Sequence, residues 1–176
     1  MTRTIYYTAT SLDGFIATPD HSLEWLLTRD TDHDGPMGYN AFIADVGAMV
    51  MGASTYQWIL DHDPEGFSYD VPCWVFTHRD FPRQDKGDVR FTQDAIKTVH
   101  GEMAAVANGK NVWVVGGGDL AGQFADHGLL DELIVSIAPV TLGAGAPLLP
   151  RELELRVTEV ARNGDFACAR YDVVKP

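Results

Sequence analysis

A run of glycines, Gly116 to Gly118, follows the apolar segment Val112–Val115 and precedes a helix-like stretch that starts near Asp119. Glycines at such a turn let the backbone approach a ligand closely, and the free N–H groups of a helix start attract an anion. The chemistry that this spacing favours is the binding of a pyrophosphate. A tight turn without a ligand would have the same sequence, so the glycine run indicates a phosphate site only if other segments of the chain indicate one too.

A second segment repeats this arrangement. The apolar run Met49–Met51 is followed by Gly52, by Ala53, and by Ser54 and Thr55 at the start of another helix-like stretch. That helix start could hold a second phosphate group. Because ligands of open α/β sheets lie at the carboxyl ends of the strands, we expect the two turns to face the same edge of one sheet.

A third apolar run, Trp74–Phe76, leads into Thr77, His78 and Arg79, which supply a hydroxyl, an imidazole and a guanidinium. These groups suit a ribose 2′-phosphate and favour NADP over NAD. A solvated loop is the alternative for these residues taken alone. Local basic groups matter here because 13 lysines and arginines stand against 25 acidic residues, a net charge of -12.

The negative charge limits the partners of the protein. It repels nucleic acid and anionic lipid, so we expect a small-molecule substrate, no nucleic acid and no membrane. No apolar stretch approaches the roughly eighteen residues of a membrane span. Cys73 and Cys168 belong to no C-x-x-C pair, which indicates buried thiols rather than zinc or a disulfide framework. A cytoplasmic location follows from these features.

Several known catalytic, nucleotide-binding and metal-binding motifs are absent or incomplete. The glycine run fits G-x-G-x-x-[GA], but a Rossmann site needs an acidic residue about twenty positions later, where the chain reads Ile-Ala-Pro-Val. The Gly-x-Ser-x-Gly of α/β hydrolases and the H-x-E and P-C-x-x-C of zinc deaminases are missing. Residues 30–35 read D-x-D-x-D-G, as in an EF-hand, but Ala41 occupies the position of the bidentate glutamate. We therefore predict no metal site.

The elements that must position these residues alternate along the chain. With 176 residues, of which 45% are hydrophobic and 22% charged, we expect one globular domain spanning residues 1–176. The predicted strands are Thr4–Thr10, Ala48–Met51, Cys73–Thr77, Val89–Thr92, Asn111–Val115, Glu132–Val140, Leu153–Ala161 and Phe166–Val174. The predicted helices are Ser22–Arg29, Tyr39–Val46, Ser54–Leu60, Thr92–Ala107 and Asp119–His127, with Ser22, Ser54, and Thr92 or Asp94 as N-caps.

Alternation of strands and helices predicts an α/β fold with a mostly parallel sheet and helices on both faces. The Asn163-Gly164 pair between the last two strands predicts an antiparallel hairpin, so the sheet should be mixed. Those long C-terminal strands also offer an edge or a face on which a homodimer could form.

Segment 11–17 reads Ser-Leu-Asp-Gly-Phe-Ile-Ala and resembles the opening of the reductase domain of bifunctional riboflavin-biosynthesis proteins and of their stand-alone relatives. These proteins share the dihydrofolate reductase fold. Further motifs follow in the family's order: Met51-Gly52-x-x-Thr55-Tyr56, the strand end Thr77–Arg79, Val114-Val115-Gly116-Gly117-Gly118, and Pro139-Val140-x-Leu142-Gly143-x-Gly145-x-Pro147-Leu148.

The resemblance implies a three-layer dihydrofolate reductase-like fold, NADPH as the cofactor, and hydride transfer to a planar nitrogen heterocycle or a related sugar-amine. The activity it resembles most is that of a 5-amino-6-(5-phosphoribosylamino)uracil reductase; a dihydrofolate or pteridine reductase, or a non-catalytic nucleotide- or ring-binding protein, are the alternatives. By position, the implied cofactor-binding residues are Ala9, Ile16, Gly52, Ser54, Thr55, Thr77, His78, Arg79, Val115, Gly116, Gly117, Gly118, Asp119 and Leu120.

The resemblance also implies residues for chemistry. Asp13 matches an aspartate proposed to serve the pyrimidine reductases, and Trp25 matches a tryptophan on the substrate side. Asp30 has the spacing from Trp25 of the active-site carboxylate in true dihydrofolate reductases. The alternatives are a turn residue for Asp13 and a solvated loop acid for Asp30. One departure stands out: Ala53 replaces a phosphate-contacting arginine, a loss of about 1.5–3 kcal/mol of binding free energy.

Overall fold

Strands and helices alternate through most of residues 1–176, all of which are described by a computed structural model. The strands are β1 (Thr4–Ser11), β2 (Phe15–Ala17), β3 (Val46–Gly52), β4 (Cys73–Phe76), β5 (Val89–Thr92), β6 (Asn111–Gly116), β7 (Glu132–Ala138), β8 (Ala146–Pro147), β9 (Leu155–Asn163) and β10 (Phe166–Val173). The helices are α1 (Glu24–Leu27), α2 (Tyr39–Ala44), α3 (Ala53–His62), α4 (Ile96–Ala107) and α5 (Gly118–Asp126).

Eight of the strands form one mixed sheet in the order β5-β4-β3-β6-β1-β7-β10-β9. The six strands from β5 to β7 pair in parallel, whereas β10 pairs antiparallel with both β7 and β9. The prediction of a mostly parallel sheet that ends in an antiparallel hairpin is therefore confirmed. The short strands β2 and β8 form a separate antiparallel pair that the sequence signals missed.

The helices cover the sheet on both faces. One face carries a buried core in which Val99 and Met103 of α4 and Phe124 of α5 pack on the strands. The other face carries a second core around Met49, Met51 and Trp113, against which side chains of α2 and α3 pack. These layers result from apolar strands that are buried on both faces, which is typical of parallel sheets.

The structure corrects the predicted N-terminal ends of several helices. The Ser22–Arg29 prediction shrinks to the single turn α1, and α4 begins at Ile96 rather than at Thr92. The hydroxyls of Ser22 and Thr92 accept N–H groups two residues later, so they close local turns ahead of the helices instead of capping them. The N-cap of α3 is Gly52 rather than Ser54, and that of α4 is Ala95 rather than Thr92 or Asp94.

Both cysteines are buried free thiols, as predicted. None of the helices combines the length and apolar character that crossing a bilayer requires. At the end of the sheet, β9 is an edge strand whose Val157 and Val160 side chains are exposed. A homodimer on this edge stays a prediction.

Candidate functional site

A cleft of about 1000 Å³ lies where the parallel strands β3, β4, β5 and β6 end. It is lined from the turns that follow those strands, from β1, and from the β2–β8 pair. Every residue that the sequence predicts for cofactor binding lines this cleft: Ala9, Ile16, Gly52, Ser54, Thr55, Thr77, His78, Arg79, Val115, Gly116, Gly117, Gly118, Asp119 and Leu120. Strand pairing brings these distant segments together, since β3 lies between β4 and β6.

The N-terminus of α3 opens on the cleft. Gly52 is its N-cap, with φ -83° and ψ 168°, and no side chain accepts a hydrogen bond from the first turn. That turn also carries no acidic residue. Ala53, Ser54 and Thr55 therefore present N–H groups and two hydroxyls beside the positive end of the helix dipole, an arrangement that suits a phosphate.

The N-terminus of α5 follows β6, the strand next to β3, and opens on the same cleft. Its N-cap is Gly117, again without a side-chain hydrogen bond, and the Gly116–Gly117 peptide bond is cis. Gly116 has φ +148°, a conformation that favours glycine. The carboxylate of Asp119 accepts hydrogen bonds from Gln123 and Arg151, which lower its pKa and hold its charge on α5.

The glycines of this turn have different roles. A Cβ on Gly117 would have only Ile16 Cδ1 nearby, at 3.9 Å, so the absence of a side chain there leaves space in the cleft. A Cβ on Gly118 would collide with the backbone carbonyls of Pro147 and Leu148. Gly118 thus serves the close packing of α5 on the segment that contains β8.

The end of β4 supplies the basic part of the cleft. Thr77 is buried, and its Oγ1 accepts the backbone N–H of Arg79 at 2.8 Å, which closes a tight turn. His78 and Arg79 are exposed at that turn. Arg79 is the one lysine or arginine that lines the cleft, and it takes part in no ion pair. Sequence reasoning missed the adjoining residues 92–96, which line the same end.

The part of the cleft under α3 is aromatic and apolar. We call it the aromatic end and define it by the side chains of Leu23, Leu26, Trp58, Ile59, Tyr69 and Trp113. Sequence reasoning missed all of them. The signal for Trp58 and Ile59 was their spacing of four residues from Ser54 and Thr55, which places each pair on one face of α3. No comparable local signal exists for Tyr69 or Trp113.

Asp13, predicted to serve catalysis and substrate binding, does not line the cleft. Its Oδ1 accepts hydrogen bonds from Ser11 Oγ at 2.6 Å and from Leu142 N at 3.0 Å, and its Oδ2 accepts one from Gly143 N at 2.7 Å. These bonds lower the pKa of Asp13 to about 2, the bond from Ser11 having the largest effect. An anion held in this way joins two loops and is a poor proton donor at neutral pH, and its predicted roles in catalysis and substrate binding stay predictions.

Asp30 and Trp25 also lie outside the cleft. The backbone of Asp30 exchanges hydrogen bonds with Asp165, so this segment is anchored to the β9–β10 turn. Trp25 packs on the cluster formed by Ala138, Phe166 and Cys168, and its indole N–H donates to Ser22 O. The substrate-side role of Trp25 and the catalytic role of Asp30 stay predictions, since the contacts described for both residues lie outside the lining of the cleft.

The acidic residues after Asp30 are engaged with one another and with the backbone. Asp32 Oδ1 accepts the N–H of Asp34, and Asp34 Oδ1 accepts the side-chain amide of Asn40. No group of three or more His, Cys, Asp or Glu side chains is arranged to hold a metal ion. The segment is a hydrogen-bonded loop that leads into α2.

The mixed sheet, its strand order and the cleft at its carboxyl edge define a dihydrofolate reductase-like α/β protein. A dihydrofolate reductase of Enterococcus faecalis complexed with NADP(H) superposes with a TM-score of 0.58 at 14% identity, covering 98% of this chain and 97% of that one. More specifically, the chain belongs to the family of the RibD C-terminal domain, whose model matches residues 60–166.

Relatives of similar length support the assignment. The uncharacterized protein YwjB of Bacillus subtilis (strain 168) is 32% identical over 96% of this chain and 97% of its own. The structure of a candidate riboflavin biosynthesis protein of Shewanella sp. PV-4 superposes with a TM-score of 0.83 at 25% identity, covering 98% of this chain and 99% of that one.

A longer structural neighbour comes from Thermotoga maritima. It is a diaminohydroxyphosphoribosylaminopyrimidine deaminase/5-amino-6-(5-phosphoribosylamino)uracil reductase, with a TM-score of 0.66 at 15% identity. The match covers 98% of this chain but only 57% of that protein. At this identity the likeness concerns the fold.

Proposed function

We propose that this protein is an NADPH-dependent reductase that acts on a planar, conjugated nitrogen heterocycle. The observation that carries the proposal is the meeting of two uncapped helix starts and a basic strand end in one cleft. The reductase activity named for the Thermotoga maritima protein and the NADP(H) complex of the Enterococcus faecalis protein support it.

The residues of the cleft fit a dinucleotide with a 2′-phosphate. The N–H groups at the starts of α3 and α5 would hold the pyrophosphate, because both starts lack side-chain acceptors. Thr77, His78 and Arg79 would hold the 2′-phosphate, the guanidinium providing the only full positive charge. The backbone of Ala9 and Ile16, on β1 and β2, would bind the carboxamide of the nicotinamide.

When bound, NADPH supplies a hydride, and thus two electrons, to a C=N or conjugated C=C bond; a proton from solvent completes the reduction and NADP+ remains. The chain's own part is to orient the reacting ring against the aromatic end and to exclude water around it. Asp13 contributes indirectly, because its bonds to Leu142 and Gly143 hold the turn that carries Ile16.

Isothermal titration of the purified protein with NADPH and NADH tests the cofactor, and loss of nicotinamide absorbance with a panel of pyrimidines and pterins tests the reaction. We expect NADPH to bind more tightly than NADH. Failure to bind either cofactor would contradict the proposal. Binding without turnover of any ring compound would favour a non-catalytic nucleotide-binding protein instead.

A further inference from the structure

The aromatic end of the cleft lies on the α2–α3 face of the sheet, where Trp113 and Tyr69 pack on the same core. Its six side chains contain two indoles, one phenol and three aliphatic groups. Aromatic side chains of this kind favour a flat ligand, because the face of an aromatic ring stacks on another planar ring.

Most of the ionisable groups of the cleft lie away from the aromatic end. Among all the lining residues the ionisable ones are His21, Tyr69, His78, Arg79, Asp94 and Asp119. His78 and Arg79 follow β4, Asp94 follows β5, and Asp119 is bound to Arg151 on α5. Only His21, which is exposed, and Tyr69 remain near the aromatic end. Burial raises the pKa of Tyr69 to about 12, so its phenol is neutral at physiological pH.

The nearest further charges are acidic rather than basic. A smaller cavity of about 270 Å³ shares Trp58, Ile59 and Tyr69 with the cleft and also contains Asp63 and His62. The Asp63 carboxylate already accepts hydrogen bonds from Glu65 N and Ser68 Oγ. Neither lysine nor arginine lines this cavity. A phosphate placed there would face Asp63 without the guanidinium or ammonium that usually pairs with it.

The imidazole of His62 is engaged by Trp58. It stacks on Trp58 with ring centroids 4.2 Å apart and an interplanar angle of 11°. Its Nδ1 lies 2.8 Å from the Trp58 carbonyl oxygen. His62 therefore holds the indole in position.

No helix start is left to bind a second anion at the aromatic end. The starts of α3 and α5 serve the dinucleotide in the proposed function, and α1 is a single turn with Glu24 in it. The start of α4, whose N-cap Ala95 also lines the cleft, comes after β5 and therefore lies beside the basic end of β4. We propose that the substrate is an uncharged, unphosphorylated planar ring that stacks on Trp58 and Tyr69, with the buried indole of Trp113 behind Tyr69. This inference rests on the proposed function and narrows its substrate class, since it disfavours both a phosphoribosyl group and a glutamate tail.

Matched pairs of ligands test this inference. The pairs are riboflavin and FMN, 7,8-dihydrobiopterin and dihydrofolate, and 5-amino-6-(5-phosphoribosylamino)uracil with and without its phosphate. Binding to the protein saturated with NADP+ is measured by quenching of tryptophan fluorescence, and turnover by NADPH oxidation. We expect the neutral member of at least one pair to bind and to be preferred by tenfold or more. Preference for the anionic members, or no binding of any neutral member, would overturn the inference.

Variants locate the binding. Trp58→Ala should weaken binding of the preferred ring about tenfold, whereas Trp58→Phe should keep most of it, because stacking needs an aromatic face. Ile59→Lys, which adds a cation, should shift the preference toward the phosphorylated member. NADPH affinity, measured by calorimetry, should be unchanged in all three variants. If the variants bind NADPH normally and keep the ring preference of the unmodified protein, the substrate inference alone is contradicted. If the unmodified protein does not bind NADPH, the proposed function is contradicted.

Discussion

The two ends of the cleft are built in different ways. The phosphate end consists of backbone N–H groups, glycines and one guanidinium, each next to the carboxyl end of a strand. The aromatic end consists of large side chains from α1, α3, β6 and a loop. The first end binds through local backbone geometry, and the second depends on tertiary packing. Cofactor binding and substrate choice are therefore separable, and mutations should affect one without the other.

Arg79→Ala is the substitution with the largest expected effect on the phosphate end. Loss of a charge-assisted contact should lower NADPH affinity by about 1.5–3 kcal/mol, a factor of ten or more. NADH affinity should stay unchanged, because NADH lacks the 2′-phosphate. Calorimetry with both cofactors measures the difference, and Arg83→Ala, an exposed arginine outside the cleft, is the control. An equal loss for NADH would show that Arg79 does not contact the 2′-phosphate.

Gly118→Ala and Gly117→Ala should separate packing from ligand space. The added Cβ at Gly118 collides with backbone, so we expect the free energy of unfolding to fall by about 1–3 kcal/mol. The Cβ at Gly117 meets only Ile16, so that variant should fold normally but bind NADPH less tightly. Urea unfolding and calorimetry distinguish them; equal stability of the two variants would contradict the assignment.

Ala53→Arg should strengthen the phosphate end. The added guanidinium stands at the first residue of α3, beside the proposed pyrophosphate position. We expect NADPH to bind about tenfold more tightly, which corresponds to about 1.4 kcal/mol. Ala53→Gln, of similar length but neutral, is the control. A gain of the same size with glutamine would indicate that length rather than charge is responsible.

Asp13→Asn should have the smallest effect and should appear in stability rather than in chemistry. Because its pKa falls from 3.8 to about 2 on folding, ionised Asp13 stabilises the folded state above pH 4, and this contribution is lost as the pH falls toward 2. The unmodified protein should therefore melt at a higher temperature than the variant at pH 7, and the gap should close between pH 4 and pH 2. Thermal unfolding across this range tests it. Complete loss of turnover with unchanged stability would instead support the prediction that Asp13 is a catalytic residue.

The phosphate end could be predicted from the sequence because its signals are local. Gly52 and Gly116 to Gly118 directly follow apolar strands, and the parallel pairing of those strands brings both turns to one edge. The aromatic end could not be predicted in this way. Tyr69 and Trp113 come from segments far apart in the chain, and their rings lie 5.9 Å apart because both pack on the core around Met49 and Met51.

Asp13 shows why a motif does not reveal what its side chain contacts. Its neighbours Ser11 and Gly14 are compatible with either a turn or a site. Its partners Leu142 and Gly143 lie about 130 residues later, so no local pattern indicates that its oxygens are occupied. The same holds for Trp25, whose packing partners lie far along the chain on β7 and β10.

The pairing of β2 with β8 has a consequence for folding kinetics. The bond between Asp13 and Leu142 spans 129 positions, and the strands that it joins contribute Ile16 and Pro147 to the wall of the cleft. Contacts of such long sequence separation form late, because a large chain loop must first close. The strands β3 and β4, whose paired residues Met49 and Cys73 are only 24 positions apart, should therefore gain hydrogen-exchange protection during refolding before this wall does, and nucleotide binding should return only after that.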